Sequence, residues 1–227
     1  MSWYDFISPL YDVGSAGSGG ARRQAVVQLR LSPGDTVLDL ACGTGLNFPY
    51  VREGIGEQGL LIGLDYSQGM LAKARKKAQR RGWENVRLIQ ADAGTLSADL
   101  LKEKAGVERV DKLICTLGLT VIPEWELAFE RAWALLKADG RCAVMDWHVA
   151  GRNLFARLLD AVSRGDVSRR CWAPLEEKST DYSHSTFIRG MVFVAGGSAP
   201  GTVTSEYQEE RAVPAYGIER NEVHYGN

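Results

Sequence analysis

Five short apolar runs recur between residues 36 and 145: Thr36 to Leu40, Leu60 to Leu64, Val86 to Ile89, Val110 to Cys115 and Cys142 to Met145. Each is set off by a glycine, proline, asparagine or charged break, as buried strands are. Longer patterns with helical spacing alternate with them. Ser67 to Arg81 reads as a helix with Ser67 as its N-cap, Met70, Leu71, Ala74 and Ala78 on one side, and Gly82 as its stop. Glu124 to Lys137 places Leu127, Ala128, Ala134 and Leu135 at helical spacing, and Ala21 to Leu31 reads as a first helix. Such alternation constrains the chain to an α/β fold, a doubly wound, mainly parallel sheet with helices packed on it. Tyr182 to Ala195 reads as a late antiparallel hairpin, which brings the sheet to seven strands.

With 227 residues, 45% of them hydrophobic, the chain has the length and apolar content for one such domain, placed at residues 21–196. Residues 1–20 carry Trp3, Tyr4, Phe6 and Tyr11 ahead of a Gly/Ser-rich link and read as an aromatic cap or lid; residues 197–227 read as a polar, Gly-rich appendage. A formal net charge of −1 makes no whole-protein case for nucleic acid as a partner. The four cysteines, Cys42, Cys115, Cys142 and Cys171, are isolated, and no histidine stands at ligand spacing, so neither a metal site nor a disulfide framework is expected. The start, MSWYDFISPLYD, carries two acids and a proline, and no apolar run approaches the length of a membrane span. The expectation is a cytoplasmic protein, at most peripheral to a membrane.

The stretch LDLACGTGLNF, Leu38 to Phe48, lies at the end of the first strand. In an open parallel sheet ligands bind there, where the strand order reverses. Gly43 and Gly45 allow backbone angles and a close ligand approach that a Cβ would oppose, while Ala41 and Cys42 keep the neighbouring side chains small. A pyrophosphate loop would need a third glycine leading into a helix; that position holds Phe48, followed by Pro49. Twenty residues past Gly45, Asp65 ends the run LLIGLD, placed to accept both hydroxyls of a ribose, and Asp92 ends the next strand. An acid for the ribose and an acid near the base, with no phosphate cradle, point to S-adenosylmethionine.

LDLACGTG, LDYSQGML, QADAGTL and LKADGRCAVMDW, in that order, resemble the motifs of class I S-adenosylmethionine-dependent methyltransferases over about Asp35 to Trp147. That family implies a Rossmann-like sheet. The N-terminal YD repeats and TLGLTVIPEW are similar to the group of ubiquinone/menaquinone C-methyltransferases and bacterial phosphatidylethanolamine N-methyltransferases, with Thr116, Leu117, Gly118, Leu119 and Thr120 in place of a serine-rich strand end. The resemblance implies that Asp39, Gly43 and Gly45 shape the pocket for the methionine part and that Asp65 holds the ribose. Tyr66 and Met70 would flank the adenine, Asp92 would bind its amino group with the Ala93 backbone nearby, and Leu117 would border the sulfonium. Asp39 reads equally as a loop-capping acid, Met70 as core, and Tyr66 as a cover for the helix start.

Methyl transfer is an in-line displacement on an activated sulfonium, so positioning and water exclusion suffice and no covalent nucleophile is required. For an amine acceptor, Asp146 and His148 in MDWHVAG are candidates to take the proton, His148 reading also as a loop histidine with a structural hydrogen bond. Tyr11 is a candidate to close over the pocket. The N-terminal aromatics, and the stripe Leu154, Phe155, Leu158, Leu159 and Val162 with Arg152, Arg157, Arg164, Arg169 and Arg170 around it, suit an anionic membrane surface or, equally, a pocket cap. The expectation is S-adenosylmethionine-dependent methylation of a lipid-like acceptor, phosphatidylethanolamine nitrogen first, with the carbon or oxygen of a quinol or other small metabolite as the alternative. A non-catalytic cofactor-binding regulator and a nicotinamide oxidoreductase are the readings from other classes.

Overall fold

The structure, a computed structural model, describes residues 19–151 and 154–201. In chain order the elements are α1 (Gly19–Gln28), β1 (Thr36–Leu40), α2 (Phe48–Ile55), β2 (Leu60–Asp65), α3 (Gln68–Arg80), β3 (Val86–Gln90), α4 (Ala98–Ala105), β4 (Val110–Thr116), α5 (Trp125–Trp133), β5 (Leu136–Trp147), α6 (Leu154–Ser163), α7 (Ala173–Lys178), β6 (Ser183–Phe187) and β7 (Val192–Ser198). The seven strands form one sheet in the order β3-β2-β1-β4-β5-β7-β6. Neighbours from β3 through β5 are parallel, whereas β7 runs antiparallel to β5 and to β6. This is the doubly wound α/β sheet with a late hairpin that the sequence pattern predicts.

Alternation along the strands sorts the core into two layers. Leu38 and Leu40, Ile62 and Leu64, Leu113 and Cys115, and Phe193 and Ala195 face one side, where Leu101 of α4, Phe129 of α5 and Leu175 of α7 meet them. Val37, Leu61, Ile114, Met145 and Val194 face the other, beneath Ala25 of α1, Phe48 and Val51 of α2, and Leu71 and Ala74 of α3. A small third cluster of Val149, Ala156 and Val167 lies under α6. Because β1 leads outward to β2 and β3 before the chain crosses to β4 on its other side, the strand order reverses between β1 and β4, which opens a crevice at their carboxyl ends.

Several boundaries differ from the sequence reading for identifiable reasons. Phe48 and Pro49 do not break the glycine loop away from a helix; they begin α2, with proline in its first turn. The helix expected over Glu124 to Lys137 stops at Trp133, because Leu136 pairs beside Val110 and the Val110 N–H donates to the Leu135 carbonyl at 2.9 Å. Strand β7 runs through Ser198, with Gly196 and Gly197 opposite Ala143 and Cys142, two residues past the break drawn after 196. Arg141, 4% exposed, joins this edge to α1 by donating to the Gln28 carbonyl at 2.8 Å and to Asp181 at 2.5 Å.

Gly63 in the middle of β2 marks a close contact between the sheet, the loop and α2. A Cβ there would lie 2.9 Å from Cys42 Sγ and 2.9 Å from the Phe48 ring. Gly63→Ala is therefore expected to destabilise the fold by about 1–3 kcal/mol, read as a shift in the urea midpoint at unchanged slope.

Candidate active site

A cavity of about 420 Å³ opens at the strand ends. Ala41 and Gly43 after β1, Leu64, Asp65 and Tyr66 at the end of β2, and Ala91, Asp92 and Ala93 after β3 line one half, closed by Met70 of α3. Leu117 and Gly118 after β4, with Val121, Ile122 and Pro123, line the other. Asp65 is pinned at both oxygens: Gly43 N–H donates to Oδ2 and Ser67 N–H to Oδ1, each at 2.8 Å. Its carboxylate thus joins the glycine loop to the start of α3, where Ser67 Oγ accepts from Met70 N–H as the N-cap. Asp92 caps the short turn Ala93–Thr95, its Oδ1 accepting from Gly94 N–H at 2.8 Å. Met70 is buried, while Tyr66 is 66% exposed and stands at the rim.

Two residues with strained backbone stand where the two halves meet. Ala41 and Leu117, both non-glycine, hold φ of 55° and 57° at the ends of neighbouring strands. Gly118, next to Leu117, has no room for a side chain, since a Cβ there would come within 2.7 Å of the Ala41 Cβ and 2.8 Å of Cys115 Sγ. Gly43, at φ 55°, lines the cavity. Gly45, at φ 73°, is required by packing instead, since a Cβ on it would lie 2.6 Å from the Phe48 ring. Phe48 fills the space beneath the loop rather than facing a ligand.

Under the loop lies a buried polar network that the motifs do not announce. Arg22 of α1 donates to Asn47 Oδ1 at 2.7 Å and to Thr116 Oγ1 at 2.6 Å, and Asn47 Nδ2 donates to Asp39 Oδ1 at 2.9 Å. Asp39 Oδ2, fully buried, has no donor among the described residues. Burial pushes the Asp39 carboxyl up to about 7, against the Asn47 hydrogen bond and the Arg22 charge that lower it.

The candidate proton acceptors are not brought to this cavity. Asp146 does not open toward an acceptor: it is 0% exposed, and it accepts from Thr120 Oγ1 at 2.7 Å, Thr120 N–H at 3.1 Å and Trp147 N–H at 2.9 Å. Burial pushes its carboxyl up to about 6, against these hydrogen bonds. His148 is half-buried outside the lining, its Nδ1 3.2 Å from the Arg169 carbonyl and its ring edge-on to Trp172 at 4.6 Å. Tyr11 and the other N-terminal aromatics lie outside the described residues. All four cysteines are buried, and among the described residues no group of three side chains could hold a metal ion.

A methyltransferase domain family matches residues 31–221. The chain belongs to that family. Demethylmenaquinone methyltransferase of Shouchella clausii (strain KSM-K16) is 28% identical to it over 125 residues, 55% of this chain and 50% of the relative. Arsenite methyltransferase of Halobacterium salinarum is 29% identical over 143 residues, 63% of this chain and 34% of the relative. The match thus spans half of the first relative's length and a third of the second's. Among solved structures, a SAM dependent methyltransferase from Aquifex aeolicus covers 78% of this chain and 89% of its own at 17% identity, with a TM-score of 0.56. The [4+2]-cyclase SpnF reaches 0.65 at 16% identity over 87% of this chain and 94% of its own. These two likenesses concern the fold, which hosts more than one chemistry.

S-adenosylmethionine is the cofactor this family implies, and the lining residues fit it: a pinned carboxylate at the end of β2 and an apolar slot of Leu64, Met70, Ala91 and Ala93, whereas Asp39 lies buried beneath the loop and outside the lining. The raised carboxyls also make a stability prediction. Asp39 and Asp146 hold a proton more tightly folded than unfolded, so the stability they favour is complete below their ordinary value of 3.8 and is lost as pH rises through about 6 and 7. Asp39→Asn is expected to flatten the upper part of this decline and to raise the melting temperature of the cofactor-free chain at pH 8 relative to wild type; thermal unfolding from pH 4 to 8 measures it.

Proposed function

We propose that the chain transfers a methyl group from S-adenosylmethionine to a flat, apolar acceptor of the quinol class. The observation that carries this reading is the acceptor half of the cavity, whose lining residues Leu117, Gly118, Val121, Ile122 and Pro123 hold no titratable side chain. An amine is protonated near neutral pH and needs a base; Asp146 and His148 are committed to backbone partners elsewhere. A quinol brings its own hydroxyl to activate the ring and can lose that proton to water. The demethylmenaquinone methyltransferase relatives point the same way. The bound cofactor supplies a methyl group already activated by a sulfonium. The protein's part is positional: Asp65 holds the ribose hydroxyls, Leu64, Met70 and Ala93 enclose the adenine with Asp92 beside it, Gly43 meets the methionine end while Asp39 supports the loop from beneath through Asn47, and Leu117 stands between donor and acceptor.

Phosphatidylethanolamine, first in the sequence reading, is the second reading, and one observation favours it. Leu158 of α6 is 60% exposed and Arg157 beside it is exposed, a pairing suited to an anionic lipid surface. S-adenosylhomocysteine release decides between the acceptors. Turnover with a soluble naphthoquinol and none with phosphatidylethanolamine liposomes is expected, and the reverse result would put the lipid first. Asp65→Ala is expected to weaken S-adenosylmethionine binding by about 1.5–3 kcal/mol in calorimetry, since charge-assisted hydrogen bonds are lost. An unchanged affinity would move the ribose to another acid.

A further inference from the structure

We infer that Arg169 is a positioning residue that sets the acceptor wall of this cavity from outside its lining. The wall is a loop, Gly118 to Pro123, closed on itself where the Val121 and Ile122 N–H groups donate to the Gly118 carbonyl, and three of its other carbonyls meet the segment between α6 and α7. Arg169 Nη1 stands within donating distance of all three: Leu119 O at 3.0 Å, Thr120 O at 3.2 Å and Ile122 O at 2.6 Å. The Thr120 carbonyl also accepts from Asp166 N–H at 2.9 Å. The approach is so close that Gly165 leaves no room for a side chain, a Cβ there falling 2.7 Å from the Thr120 oxygen and 3.0 Å from Val121.

The brace is itself anchored. Val149 N–H donates to the Val167 carbonyl at 2.8 Å, Val167 N–H donates to Asp160 Oδ1 of α6 at 2.8 Å, and the Arg169 carbonyl meets His148 Nδ1. From the other side, Asp146 accepts from the Thr120 N–H and hydroxyl. The loop is thus suspended between an anion at the end of β5 and a cation after α6, and Val121, Ile122 and Pro123 are presented to the cavity with no charge on their own side. Arg169 is therefore not one of a set of surface arginines available to an anionic membrane: its side chain is 22% exposed, its Nη1 is spent on the loop, and its Nε lies 3.8 Å from the Asp166 carboxylate. All three contacts come from Nη1, whose two N–H groups are shared among the carbonyls and held in place by the rigid guanidinium plane; a lysine ammonium is a point on a flexible stem and is not held in that way.

The inference rests on the Val121 to Pro123 side being the acceptor side, and the test separates the two. The variants are Arg169→Met, which removes the donors, and Arg169→Lys, which keeps the charge and restores part of the bonding. With naphthoquinol as acceptor, Arg169→Met is expected to raise the acceptor KM roughly tenfold, with kcat and the S-adenosylmethionine Kd changed by less than about twofold, and Arg169→Lys to fall between. Hydrogen exchange of the amides from Gly118 to Ile122 is expected to accelerate in step, with the α3 amides unchanged. A variant that keeps both the wild-type KM and the wild-type loop exchange overturns the inference, as does one that weakens cofactor and acceptor alike. If Arg169→Met does not fold, the same readouts on Arg169→Lys decide. Absence of naphthoquinol turnover by the wild type counts against the quinol reading alone; loop exchange together with cofactor affinity then decides the role of Arg169.

Discussion

The guanidinium of Arg22, 5% exposed, sits where α1, the glycine loop and the end of β4 converge. A cation so deeply buried is tolerable only with its hydrogen bonds made, and Asn47 and Thr116 accept from it while Asp39 is joined to it through Asn47. The architecture of the crevice depends on this arrangement. Asn47 is held between Arg22 and Asp39, so the turn from Gly43 to Phe48 has one position over the sheet. Thr116 is held at the last residue of β4, immediately before Leu117 enters the cavity.

Around that network the chain accepts strain and tight packing in return for a ligand-ready backbone. Ala41 and Leu117 keep positive φ because the neighbouring strands hold their ends: Cys42 N–H donates to the Leu64 carbonyl at 2.9 Å and Leu117 N–H to the Met145 carbonyl at 2.7 Å. Phe48, fully buried against Gly45 and Gly63, supports the loop from beneath. One half of the cavity is therefore made by strand ends and the glycine loop. The other is made by a loop that packs over β4 and is tied to the exit of β5 and the segment after α6, so the two halves answer to different parts of the chain.

This division bears on how such a site works. A methyl group on a sulfonium needs a path and a dry surrounding more than an acid or base, and the carboxylates here serve geometry. Asp65 joins two loops, Asp92 caps a turn, and Asp146 fastens the Thr120 backbone. Residues that read as proton acceptors in a linear motif become supports once the fold closes around them.

Much of the frame was legible in the residues alone. Short apolar runs set off by breaks and the Ser67 cap placed the five parallel strands, the hairpin and α3, because burial on a sheet and the capping of free N–H groups are local demands. Helix α4 left a signal that went unread, Ser97 and Gly106 at its two ends, and so did α2 in Pro49. Gly43, Asp65 and Asp92 were legible as cavity residues because loops at strand ends border the crevice in any such sheet, whereas Gly45 answers to the packing of Phe48. What the linear order does not contain is contact across distance. That Arg22 reaches Asn47 and Thr116, that Asp146 spends its oxygens on Thr120, and that Arg169 gathers three carbonyls are outcomes of packing, since each joins segments 25 to 94 residues apart that only tertiary structure brings within hydrogen-bond range. The sequence by itself determined a doubly wound sheet with a place for an adenosine cofactor. Tertiary structure decided which polar groups face that place and which are consumed in holding it, because a side chain's role is set by the partners it can reach when water is gone.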